Sequence, residues 1–244
     1  MAWTTSTSVR EFLDAAGGFL RARPIDHTML LTEAAYLEAV PTARDQLYGW
    51  WSGGGAFLRA PGHAPIVSLL PDEAWGPLAA LLPGVTEVGV DARSLPGATA
   101  AWPGLGERFR VSVCRARSQP VPASGRARKA TPDDRDLLVG WYHELMAANP
   151  GDPSELAYVV DFPITYGGLM LWETEGEPTA MASRTPVIGG VTRVGAAYGI
   201  DAAAALAAVR AEAATVASDV LTLTTAEDCA PVLQRVTLGT WTSP

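Results

Sequence analysis

The sequence predicts an α/β protein of the α+β kind, built as two halves, each a mixed, mostly antiparallel sheet flanked by helices. Three observations carry this. Short apolar runs bounded by Gly and Pro alternate with helical spacing throughout the 244 residues. A Pro-, Ser- and Gly-containing stretch interrupts the pattern at 118–128, marking a linker between residues 1–117 and 129–244. Hydrophobic residues make up 48% and charged residues 18%, so the chain can bury a core and is not a disordered polymer.

The elements of the first half follow in order. Ser8-x-x-Glu11 is a capping box, and Val9, Phe12, Leu13, Ala16, Phe19 and Leu20 place one apolar stripe on a helix that ends at Pro24. A second helix is expected over Thr32–Ala39, stopped by Pro41. Ala56–Arg59 and Pro65–Leu70 form a hairpin whose turn holds Pro61, Gly62 and His63. Pro71-Asp72-Glu73 opens a helix to Leu82. Val85–Val90 and Phe109–Cys114 are strands, with a partly helical stretch over Arg93–Trp102 between them.

In the second half, Thr131-Pro132-Asp133-Asp134 supplies an N-cap, an N1 proline and two acids that favour a helix start. Leu137, Leu138, Trp141, Leu145 and Met146 give that helix its apolar face. Three strands follow, 168–173, 178–185 and 190–198, turning at Glu175-Gly176 and Gly189-Gly190. Asp201 caps an alanine-rich helix reaching about Ser218. Strands are expected at 220–225 and 238–241.

The formal net charge of −8 argues against nucleic acid and anionic membrane as partners. Arg126, Arg128 and Lys129 form a small basic cluster, read as a solvated part of the linker. Cys114 and Cys229 have no CxxC or CxxH spacing, so no zinc site is expected, and two cysteines are too few for a disulfide framework. The first residues lack a basic and an apolar export region, and no apolar run reaches about 18 residues. A cytoplasmic protein is the resulting expectation.

The segments Gly167-Gly168-Leu169-Met170-Leu171-Trp172-Glu173, Glu177-Pro178-Thr179-Ala180-Met181-Ala182-Ser183-Arg184-Thr185-Pro186 and Thr192-Arg193-Val194-Gly195-Ala196-Ala197-Tyr198 stand in the order helix, three-strand meander, helix, strand. This resembles the GNAT acyltransferase superfamily, in particular a bacterial group whose N-terminal half is built like a degenerate second GNAT domain. The resemblance implies tandem GNAT-like halves. It also implies an acyl donor lying along the central strand at Gly195, Ala196, Ala197 and Tyr198.

One departure bears on the donor. Family members that use acetyl-CoA hold its pyrophosphate on a Gly-rich loop after the central strand, at a helix N-terminus. Here only Gly199-Ile200-Asp201 separate Tyr198 from Ala202, so that loop is read as deleted. Asp201 at the N-cap is expected to satisfy the helix N–H groups with its own carboxylate. The Asn-x-x-Tyr that often supplies a proton donor is replaced by Ala230-Pro231-Val232-Leu233, with Cys229 beside it as a small buried residue.

Within that frame Glu173 is the candidate for general base, and His143, on a helix that borders the acceptor site in this fold, is a second catalytic candidate. Tyr166, Trp172 and Arg184 are the candidates for the substrate wall, with Arg184 suited to a substrate carboxylate. No metal ligand set is expected. Two functions follow. One is an N-acyltransferase for a small-molecule amine, taking its acyl group from acetyl-CoA held weakly or from a phosphopantetheine arm on an acyl carrier protein. The other is a GNAT-fold protein that transfers no acyl group and binds a small molecule or does unrelated chemistry.

Overall fold

The computed structural model describes residues 1–40, 45–60, 62–122, 124–226 and 229–240. The chain forms two compact units, Met1–Cys114 with Thr224–Pro244, and Arg115–Leu223. The sequence division placed the final strand with the second half; it belongs to the first unit. No helix among the described residues is long and apolar enough to cross a membrane.

The first unit contains β1 (Trp3–Ser6), α1 (Val9–Ala22), α2 (Thr28–Ala39), β2 (Leu47–Trp51), β3 (Ala56–Arg59), β4 (Ile66–Val67), α3 (Asp72–Leu81), β5 (Glu87–Asp91), α4 (Leu95–Ala101) and β6 (Gly106–Arg115). It is completed by β12 (Leu233–Gly239), which pairs antiparallel with both β5 and β6. The strand order is β1-β2-β3-β4-β5-β12-β6. Its core packs Phe57, Val67, Val88, Val90, Val236 and Leu238 from the sheet against Trp75 and Leu78 of α3.

Ser8 caps α1 through its side chain, but Glu11 turns to the Ser6 hydroxyl, so only half of the expected box forms. α2 begins four residues earlier than its sequence pattern indicated, because the ring of His27 is buried and its Nδ1 meets the Leu20 carbonyl at 2.9 Å. β3 and β4 form the expected hairpin. Pro41, Pro61 and Trp241, which marked a helix stop, a turn and a strand end, lie outside the described residues.

The second unit contains β7 (Arg126–Lys129), α5 (Arg135–Ala148), a π-helical turn over Ala157–Asp161 running into α6 (Phe162–Thr165), β8 (Leu169–Thr174), β9 (Glu177–Arg184), β10 (Val191–Gly199), α7 (Ala202–Val216) and β11 (Asp219–Thr224). The order is β11-β10-β9-β8-β7, antiparallel except for β10 with β11. Alternation along the strands splits the core in two. Trp172, Ala180, Ala182 and Val194 meet the alanine face of α7. Leu169, Leu171 and Met181 meet Leu138 of α5 and Val159–Val160.

Two expectations are corrected and one, the Thr131 cap, is met. Residues 126–129 form an edge strand paired with β8, because Arg126 and Arg128 both reach the Glu173 carboxylate, at 2.7 and 2.6 Å. Thr131 does make a full capping box with Asp134. Cys114 and Cys229 are joined in a disulfide, since β6 and the approach to β12 lie side by side.

Candidate functional site

The site lies in the second unit, where β10 leaves β11. Their parallel ladder runs Val191↔Asp219 to Val194↔Thr222 and stops there. The physical cause is on the other edge of β10. Against β9 the register advances three residues, Gly195 to Tyr198, while β9 advances two, Ser183 to Met181. This bulge bends β10, and Ala196 takes a φ of 47°. Gly195, Ala196 and Ala197 therefore have no partner on β11, and their small side chains leave a gap.

A cavity of about 550 Å³ opens on that gap. Gly195–Ala197 of β10, Thr222 and Leu223 of β11 and Leu206 of α7 line it. Tyr158, Phe162 and Tyr166 line it as well, with Ser183, Arg184 and Arg193 of β9 and β10.

The charged groups here are tied together. Arg184 is buried, and its Nε and Nη2 donate to the two Glu212 carboxylate oxygens at 2.7 and 3.1 Å. Lys129 Nζ lies 3.6 Å from the same carboxylate. Burial opposes ionisation of Glu212, but Arg184 and Lys129 together outweigh it and hold the carboxyl below its usual range. The Tyr166 hydroxyl donates to the Arg184 carbonyl at 2.8 Å, and the Arg184 guanidinium lies 5.8 Å from the Tyr166 ring centre. Burial pushes the Tyr166 phenol well above its ordinary value. Arg193 Nη2 donates to the Tyr158 hydroxyl at 3.3 Å.

Of the residues expected from sequence, Tyr166, Arg184, Gly195, Ala196 and Ala197 line this cavity. Tyr198 lies beside it, donating to Glu144 of α5 at 2.7 Å, and that carboxylate raises the phenol. Trp172 points into the α7 core. Glu173 sits under Arg128 and Arg126, which lower its carboxyl. His143 is exposed on α5, its ring 5.3 Å from that of Tyr142. Tyr158, Phe162, Ser183, Arg193 and Glu212 were not singled out. The aromatic spacing in Tyr158-x-x-x-Phe162-x-x-x-Tyr166, one helical turn apart each time, was the available signal.

At the start of α7, Asp201 is the N-cap residue as expected, but its side chain makes no cap bond. The carboxylate turns back to the sheet, accepting from Thr174 at 2.9 Å and Thr179 at 2.6 Å. The expectation that it satisfies the helix N–H groups is thus corrected.

The fold of this chain is similar to that of several solved structures. A GCN5-related N-acetyltransferase from Kribbella flavida superposes with a TM-score of 0.56 at 16% identity, covering 87% of this chain and 95% of its own. An acetyltransferase of the GNAT family from Colwellia psychrerythraea gives 0.58 at 10% identity, covering 99% and 100%. This chain has the GNAT fold. A further GCN5-related N-acetyltransferase, from Sphaerobacter thermophilus, gives 0.55 at 13% identity over 97% and 94% of the two chains. No protein-family model matches the sequence, and no curated protein matches it.

Proposed function

We propose that this protein is an N-acyltransferase for a small-molecule amine, with a donor other than free acetyl-CoA. The observation that carries the reading is the ladder between β10 and β11, which stops at Val194↔Thr222 and opens onto the cavity. An amide-bearing thioester can pair with the free edge at Gly195–Ala197, as a strand adds to a sheet. The amine would approach from the side of Tyr158, Tyr166 and Ser183. A phosphopantetheine arm on an acyl carrier protein is the donor in this reading, and coenzyme A would bind weakly.

Gly195 provides the test, because a side chain added there meets nothing within 4 Å. Gly195→Leu should fold normally and fill the gap. Acyl transfer to a panel of small amines from acyl-carrier and acyl-CoA donors should occur with the parent chain and drop at least tenfold in the variant. Equal rates in both would reject the cavity as the site.

A second reading is a small-molecule binding protein that transfers no acyl group. It is favoured by the shortage of an available base. Asp152 is the one carboxylate among the described residues lining the cavity, and it already accepts from the Ser154 N–H at 2.9 Å. Ligand binding blocked by Gly195→Leu, with no transfer from any donor, would select this reading.

A further inference from the structure

The outer end of the cleft has a chemistry of its own. Beyond Ala197, which also borders the cavity, a groove runs past Tyr198 to the start of α7. Leu137, Trp141 and Glu144 of α5 form one bank; Ile200 and Ala202 form the other. Ile200 is 94% exposed and Leu137 38% exposed, which is unusual for side chains of this kind on either side of one groove. Among the described residues that line the groove none is Lys, Arg or His. Its titratable acid, Glu144, already accepts from Tyr198, and Asp201 follows Ile200 in the chain.

We infer that this groove selects a donor whose arm is uncharged where it meets the groove: amides and apolar carbon, with any phosphate left beyond it. Two forces act in the same direction. Covering Ile200, Leu137 and Trp141 removes apolar surface from water. A phosphate placed there would instead lie beside the Glu144 carboxylate, with no cationic side chain lining the groove to meet it. Ile200 is the specificity-determining residue in this scheme, because it is the most exposed apolar group and sits in the junction leading to α7. The inference rests on the acyl-transfer reading and names the donor chemistry for the same site.

The test uses two hydrolysis-stable ligands that differ in the nucleotide and phosphates: S-ethylpantetheine and S-ethyl-coenzyme A. Calorimetric titration of the full chain should give S-ethylpantetheine an affinity equal to or greater than that of S-ethyl-coenzyme A. Raising the salt concentration should tighten the coenzyme A complex and leave the pantetheine complex within about twofold. Ile200→Ser should weaken S-ethylpantetheine about fivefold. Ile200→Arg should strengthen S-ethyl-coenzyme A by at least fivefold. Ile200 is a surface residue, so circular dichroism of both variants should match the parent. A tenfold preference for S-ethyl-coenzyme A in the parent chain would overturn the inference and leave acyl transfer standing. So would failure of both ligands to bind in a chain that still acylates an amine from another donor. Failure of both ligands with no transfer from any donor would overturn both.

Discussion

Arg184 and Asp134 show what the ion pairs of the second unit do. Arg184 is enclosed by Tyr166, Glu212 and its own strand, so its charge depends on Glu212 for compensation. Removing one member of a buried pair leaves the other uncompensated, and Glu212→Ala should destabilise the chain by about 2–4 kcal/mol in urea unfolding. The Asp134 carboxyl is held down at about 2, first by its two bonds from Arg128 and then by the Thr131 N–H and hydroxyl. A depressed acid stabilises the fold above its unfolded pKa, and that stability is lost as pH falls toward the folded value. With the pair partly exposed, Asp134→Asn should cost about 1–2 kcal/mol at pH 7. The difference between variant and parent should shrink from about pH 4 downward and vanish only below about pH 2. A constant difference across that range would reject the pairing.

At the scale of elements, the junction from β10 to α7 is set by Gly199. Its φ is 110°, and a Cβ there would overlap the backbone of Thr179 and Ala180. Gly199→Ala should destabilise by about 1–3 kcal/mol and weaken ligand binding at the groove, measured by urea titration and calorimetry on the same sample. This junction also shows how far the sequence could be read. The strands of the second unit and α5 were legible because their alternation and caps are local. The direction taken by the Asp201 carboxylate was not, because Thr174 and Thr179 reach it from another hairpin. β7 was hidden for a similar reason. Arg126-Ala127-Arg128-Lys129 is polar by composition, and only pairing with β8 and the Glu173 carboxylate makes it a strand. Tyr166 and Arg184 could be found because aromatic and guanidinium groups on strands and their approaches suggest a wall. Glu212 could not, since nothing within an alanine-rich helix says which strand it faces.

For the whole molecule, the second unit is an insertion in the first: the chain leaves after Cys114 and returns at Thr224, and β12 then fills a place between β5 and β6. Each unit repeats the run of helix, three-strand meander, helix and strand, α2 to β5 in one and α5 to β11 in the other. The chain crosses between the units twice, after Cys114 and after Leu223, whereas a sequence pattern of breakers marks a single boundary at 118–128. The return lacks a Pro- and Gly-rich segment, and β12 pairs with strands far away in sequence. Cys114 and Cys229 stand at the two crossings, 115 residues apart. A bridge closing a loop of this length can stabilise by about 2–5 kcal/mol, and Cys114→Ser with Cys229→Ser should show that loss in urea.

The same bridge makes the polypeptide a ring with two tails. A single backbone cut anywhere inside the ring does not divide the molecule. Arg117 is exposed in the stretch without regular structure that follows β6, so brief trypsin treatment should cut there first. On a non-reducing gel the nicked protein should still run as one species; with a reductant added, it should separate into two fragments. Fragments that part without reductant would mean the ring was open. Applied to protein alkylated at the moment of cell lysis, the same gel reports whether the ring is closed where the protein works, since such bridges persist mainly in oxidising compartments.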